Sequence, residues 1–364
     1  MQKKWLAVFV AVLVLAFALP VLGQDAPAAE PWVCPEGFEG QTLSIYNFST
    51  YVAEDTVSNF EAACGVTVIY DVYESNEALL ARLSQGNPGY DVIHPADFMV
   101  SVMIGAGLLQ EIDYSLIPNF ANVGEAFLNP PYDPENVFSV PYQWGTLAIG
   151  YNLTNVGEPI TSWDQVFSYD GPIALLDEPR LQMAPVLNYL GFDPNTADEA
   201  EIEAARDFLI ENGDNVAALA ADDGQARLEV GEVDITVEYS GDIFQLIADC
   251  ECEDFAYVIP EEGAQIWTDN MAIPVGAPNA ALAHAYIDYI LSPIAGSDIS
   301  NYTAYGTPLS LDVVGDLIDP ELLGNPGIYP PEEVLANLFF VNDVPEAQVL
   351  YTDAWDIVKV ALSR

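Results

Sequence analysis

Cysteine, histidine and carboxylate side chains are the groups in this chain whose types and spacing could do chemistry, and they are very unequally supplied. The four cysteines are Cys34, Cys64, Cys250 and Cys252, and the only histidines are His94 and His284. Cys-Glu-Cys at 250–252 has no second cysteine pair, and two distant histidines do not complete a zinc ligand set. The same scarcity speaks against a Cys-His nucleophile. Structural disulfides or buried thiols fit better, and four cysteines allow three pairings between which the sequence does not choose. Carboxylates are abundant, with 56 Asp and Glu against 8 Lys and Arg and a formal net charge of -48. Paired acids hydrolyse glycosides when they flank a sugar at about 5 to 9.5 Å, whereas separated acids hold cations. Asp193-Pro194-Asn195-Thr196-Ala197-Asp198 has the look of a calcium loop but lacks the central glycine and the distant glutamate, so a turn with a helix cap is expected there. There is no Gly-x-Ser-x-Gly elbow and no phosphate-binding glycine loop.

Charge and composition narrow the field further. A surface this negative repels phosphate backbones, which removes the main source of nucleic-acid affinity, and anionic lipid surfaces are disfavoured in the same way. Charged residues nevertheless make up only 18% of the chain, against 51% hydrophobic and 11% aromatic, so the acidity comes from missing lysines and the chain is expected to fold. At roughly 150 residues per domain, 364 residues predict two domains.

The elements that must position these groups alternate along the chain. Lys3 and Lys4, the apolar run Trp5 to Leu22 and a cut after Gly23 have the order of a secretory signal, with a retained anchor as the alternative; a polar leader follows over 24–40. Thr42 to Tyr46 and Val66 to Val72 read as strands. A helix lies between them over Glu54 to Cys64, a second is capped by Ser75 or Asn76, and a strand from Tyr90 to His94 completes β-α-β-α-β, the pattern of a parallel sheet. The loops at the carboxyl ends of such strands face the ligand: Asn47 to Tyr51, Tyr73 to Ser75 and Pro95 to Phe98. Further strands are expected at Thr146 to Asn152, Ile173 to Asp177, Val233 to Tyr239, Phe255 to Ile259 and Met271 to Val275, with capping boxes at Ser162–Gln165 and Thr196–Glu199. Extended segments near Pro141 to Gly145 and Thr268 to Ala272 run from one unit into the other, which predicts two lobes joined by a hinge.

Tyr46 to Val52, Val68 to Glu77, Pro141 to Thr146, Leu187 to Gly191, Gly231 to Asp234, Trp267-Thr268-Asp269, Tyr305-Gly306-Thr307-Pro308 and Asn325 to Pro331 occur in this order over residues 42 to 360. Together they resemble the spermidine/putrescine-binding proteins of bacterial ABC importers. The resemblance implies an α/β, type II periplasmic binding fold with a ligand cleft between two lobes, here 41–145 with 269–313 and 146–268 with 314–364. It implies a putrescine- or spermidine-like polyamine as ligand, a transmembrane permease as partner, a periplasmic or extracellular location, and neither cofactor nor catalysis. A secreted carboxylate-dependent hydrolase and a sensor of another small cation are the alternatives.

A polyamine carries ammonium groups on a flexible hydrocarbon, so its site needs separated carboxylates and aromatic walls. The resemblance assigns Asp269 and Asp242 to the amines, Trp267 and Tyr239 to the walls, Phe48, Ser49 and Tyr51 to closure from the first lobe, and Tyr305 to a terminal ammonium. Glu178 stands in for an acid that the family carries where this chain has Leu181, and Phe98 joins the set from the third loop. Thr50, Val341 and Ala96 also depart from the family's polar residues. Tyr142 and Trp144 are expected to be core or hinge packing.

Overall fold

The computed structural model of the protein describes residues 30–49, 51–221, 223–250 and 253–363. The expected signal segment, the leader up to residue 29, Thr50 and Cys252 lie outside these residues.

Strand β1, Thr42–Phe48, buries alternate residues and lies between β2, Thr67–Tyr73, and β3, Val92–Ile93, pairing with both in parallel. The helix Thr56–Cys64 that connects β1 to β2 stops at Gly65, whose φ of 66° is the left-handed conformation glycine adopts without strain. Ser75 caps the next helix, Asn76–Leu83, by accepting from the Ala78 N–H at 3.2 Å. The parallel unit expected from the sequence is therefore present, with a third strand shorter than Tyr90 to His94.

Two long strands cross the middle of the sheet. β4, Ser139–Asn152, runs for 14 residues, antiparallel to the last strand, β9, Gln265–Ala272, in a register from Ser139 opposite Ala272 to Leu147 opposite Gln265. Both begin before the strands expected at Thr146 and Met271 and take in the extended segments expected near Pro141 to Gly145 and Thr268 to Ala272. Pro141 argues against a strand interior, yet the register shifts between Pro141 and Gln143, and that irregularity accommodates the missing donor. β9 ends before Pro274, short of the expected Val275.

β5, Ile173–Leu176, pairs in parallel with β6, Val216–Ala220, and with β7, Ile235–Tyr239; β8, Phe255–Val258, pairs with β4. The sheet order is β2-β1-β3-β9-β4-β7-β5-β6. β6 has the sequence Val-Ala-Ala-Leu-Ala, too alanine-rich to read as a strand. One large apolar cluster gathers on the β1 side around Phe60, Tyr286 and Ile287, and another on the β5 side around Trp163, Tyr351 and Trp355. The helix Gln348–Leu362 packs on Glu199–Glu211, whose cap is Asp198, accepting from the Ala200 N–H at 2.8 Å, and not Thr196. Asp193 accepts from Asn195 in the expected turn. Cys34 and Cys64 form a disulfide, which ties the segment before β1 to the first helix, and Cys250 is disulfide-bonded as well. Among the described residues no helix is long and apolar enough to cross a membrane.

Candidate ligand cleft

The central strand β9 decides where the site lies. Side chains two apart on a strand share a face, so Trp267 and Asp269 project together, opposite Gly145 and Gln143 of β4. The Trp267 indole lies against the Gly145 backbone, where a Cβ would come within 2.6 Å of the ring. Tyr305 arrives from the other direction. The helix Pro293–Thr303 ends at Ala304 in the left-handed conformation, φ 57°, and the next residue is held by Ser300 Oγ donating to the Tyr305 carbonyl at 2.6 Å. Gly241, at the start of the helix Ser240–Cys250, lets the Tyr305 ring pack on its backbone; any side chain at 241 would collide with it.

These residues form one continuous aromatic set. Trp267 meets Tyr305 with centroids 5.0 Å apart at 76°, Tyr305 meets Tyr51 at 5.8 Å and 82°, and Tyr51 meets Phe48 at 5.9 Å and 90°. Tyr239 meets Trp267 with centroids 6.1 Å apart at 84°. All four contacts are edge-to-face, the arrangement that places ring edges against negative ring faces. Tyr142 fixes the set from β4 by donating its hydroxyl to the Tyr51 carbonyl, with its ring 5.4 Å from that of Tyr51. It is both a packing residue and the support of a wall.

Asp269 sits within this set, 8% exposed. Burial pushes its carboxyl up to about 7, and the Tyr51 hydroxyl beside it acts in the opposite direction without reaching ordinary hydrogen-bond geometry. Burial, followed by the Asp269 charge, in turn raises Tyr51 well above a normal tyrosine. Among the described residues no lysine or arginine forms an ion pair with Asp269. Asp242, half-buried in the first turn of its helix, is the largest charge acting on Tyr305, after burial, and so faces the same ring. The structure thus brings together Phe48, Tyr51, Tyr239, Asp242, Trp267, Asp269 and Tyr305.

It does not bring all the expected residues into that set. Ser49 is exposed in the turn after β1. Glu178 keeps solvent contact just before the helix Pro179–Tyr189; the surrounding protein raises its carboxyl, with Glu77 and Asp177 adding to the shift and Lys359 opposing it. Glu178 therefore lies within the field of Glu77, an acid the sequence reading did not single out. Leu181 packs on the β5-side cluster and cannot replace a carboxylate. Phe98 lines a separate cavity of about 190 Å³ with Asp97, Tyr132, Val341 and Asp343.

Asp97 was missed as well, although it lies in one of the loops expected to face the ligand. An acid at the first position of a helix that follows a strand end is a readable signal, normally taken as dipole compensation. Here the side chain is 3% exposed and burial pushes it up to about 7, with Asp269 also raising it.

Residues 55–319 match the family model described as bacterial extracellular solute-binding protein. The chain is a bacterial extracellular solute-binding protein. Similar to it are the putrescine-binding periplasmic protein PotF of Escherichia coli, 32% identical with 99% of this chain and 98% of that one covered, and the spermidine/putrescine-binding periplasmic protein of the same organism, 33% identical with 98% and 99% covered. Among solved structures, the spermidine/putrescine ABC transporter substrate-binding protein PotD of Streptococcus pneumoniae superposes with a TM-score of 0.83 at 32% identity, covering 89% of this chain and all of that one. The fold of this solute-binding protein is accordingly of the periplasmic binding type expected from the sequence.

Proposed function

We propose that this solute-binding protein captures a polyamine of the putrescine or spermidine class and delivers it to the permease of an ABC importer. The observation that carries this reading is Asp269, a buried carboxylate with no basic partner among the described residues, enclosed by Tyr51, Trp267 and Tyr305. An ammonium supplies the missing charge. Each buried methylene of such a ligand contributes about 0.8 kcal/mol, and each ammonium over a ring about 0.5 to 2 kcal/mol. Burying an ammonium without a partner costs several kcal/mol, so the rings alone do not hold a cation and the acids are required. Asp242 supplies the second acid. Glu178, within the field of Glu77, is the acid for a more distant amine, and Ser49 and Phe98 contact the ligand only when the cleft closes.

The relatives named for putrescine and spermidine support the same reading. In it the lobes are 41–145 with 269–313 and 146–268 with 314–364, β4 and β9 are the segments that bend between them, and closure over the ligand creates the surface the permease recognises. The role is capture and delivery, without catalysis. The acidic surface raises the encounter rate with cations at low salt. Isothermal titration with putrescine, spermidine and a panel of sugars tests the proposal: heat from an amine supports it, and no heat from any amine overturns it.

A further inference from the structure

Asp97 is the least expected charge in the molecule. Its carboxyl joins two elements: one oxygen accepts from the Phe98 N–H at 2.7 Å, and the other from the Thr268 N–H of β9 at 3.2 Å, the residue immediately before Asp269. An isolated bridge between Ala96 and Asp269 brings the two backbones together at the same level. Two carboxylates, 3% and 8% exposed, therefore lie on adjoining segments, and the Asp269 charge acts on Asp97. Two backbone donors are modest compensation for a buried negative charge, and a second charge beside it makes ionising both costly.

Among the described residues, the groups around the pair supply no positive charge. Tyr51, Tyr73, Tyr142 and Tyr305 face Asp269, and burial holds the hydroxyl of each well above its ordinary range, so all are neutral. Tyr132 faces Asp97 and is raised in the same way. His94, three residues before Asp97, is fully buried and burial pushes it down to about 3, so it contributes no positive charge. Asp343 borders the cavity beside Asp97, while Asp242 and Glu238 approach Tyr305, and these add only negative charge. Among the described residues no lysine or arginine forms an ion pair with either acid.

We propose that Asp97 is a specificity-determining residue of the cleft, which together with Asp269 forms an acid pair that admits a cation in exchange for a proton. This deepens the polyamine reading and rests on it. In the ligand-free protein the pair retains protons at neutral pH. When an ammonium enters beside Asp269, one acid of the pair ionises, the ammonium keeps its own protons, and the proton of that acid passes to solvent. Asp97 also lines the cavity of about 190 Å³. The pair titrates as one unit with macroscopic steps, so release is greatest at and below neutral pH and disappears where both acids are already ionised. Affinity then falls as the pH drops from 8 to 6, and a neutral ligand of the same shape gains nothing from the exchange.

Calorimetric titration of the full protein with putrescine, in two buffers of different ionisation enthalpy at pH 6 and again at pH 8.5, reads the proton directly. Putrescine is fully protonated at pH 6, so the proton cannot come from the ligand. The expected result at pH 6 is release of about one proton per ligand, falling towards none at pH 8.5, with Asp97→Asn still binding putrescine but losing at least half of the release. Heats at pH 6 that do not depend on the buffer, or a release undiminished in Asp97→Asn, overturn the proposal. The wild-type measurement decides even if the variant does not fold. Failure of putrescine and spermidine to bind at either pH overturns the polyamine reading and this inference with it, whereas binding with buffer-independent heat overturns this inference alone.

Discussion

Arg180 and Asp269 are both ionisable groups held inside the protein, and the fold treats them in opposite ways. The guanidinium of Arg180 donates to Asn195 Oδ1 at 2.9 Å and to the Asn342 carbonyl at 3.2 Å, and lies 4.0 Å from the centre of the Tyr351 ring. Asn195 in turn accepts from the Asn342 N–H at 2.7 Å and donates to the Phe340 carbonyl at 2.8 Å. Arg180 thus has both acceptors and a ring, and holds the 340–342 segment to the start of its own helix. Asp269 has a hydroxyl, a neighbouring acid and a set of ring edges, but no cation. A charge provided for within the chain maintains the fold, whereas in the proposed function the buried carboxyl left without a counter-charge is matched by the ammonium of the ligand.

That contrast can be broken at either end. The largest effect is expected for Asp269→Asn, which removes the charge partner of a buried ammonium at a cost of about 3 kcal/mol or more. Putrescine affinity measured calorimetrically should fall by on the order of a hundredfold, and an unchanged affinity would show that Asp269 is an ordinary buried acid. Next is Arg180→Met, which should lower unfolding stability by roughly 1.5 to 3 kcal/mol through its charged hydrogen bonds while amine affinity in the folded protein stays close to wild type. A loss of binding as large as that of Asp269→Asn would erase the distinction between the two regions.

Trp267→Leu removes a ring face but keeps apolar bulk, and should weaken putrescine by about 0.5 to 2 kcal/mol, roughly two- to thirtyfold. A smaller effect is expected in the melting temperature of the ligand-free protein. The folded-state value of about 7 for Asp269 lies above its ordinary 3.8, so the folded state holds the proton more tightly than the unfolded chain. Its stabilising contribution is complete below pH 4 and is lost as the pH rises through 7. Between pH 5 and 7.5 the melting temperature of wild type should therefore fall by a few degrees more than that of Asp269→Asn, and equal slopes would mean that Asp269 is already ionised in the folded protein.

Much of the frame was legible beforehand because it rests on local rules. Gly65 ends a helix, Ser75 caps one, and the β-branched run before Tyr73 makes a strand, whatever the rest of the chain does. Trp267, Asp269 and Tyr305 were found from motif resemblance, and the alternation of β9 then put the first two on one face. Less local features were misread. Pro141 to Gly145 and Thr268 to Ala272 were read as extended links between two units, but not as parts of β4 and β9, because that continuity is set by the pairing of the two strands. Thr196 looked like a cap but Asp198 is one, since two acceptors two residues apart compete for the same helix start.

The sequence by itself determined the excess of acids, the order of strands and helices, and the aromatic and acidic residue types available for a cation. Those follow from composition and from interactions a few residues apart. The tertiary structure alone decided which of the 56 acids lost their water without gaining a counter-charge. Asp97 and Asp269 lie 172 positions apart in the chain, and no local rule relates them. Burial is a property of everything packed around a group, and the field of one carboxylate on another depends on their separation in space, so both appear only when β9 is laid beside the helix that begins at Asp97.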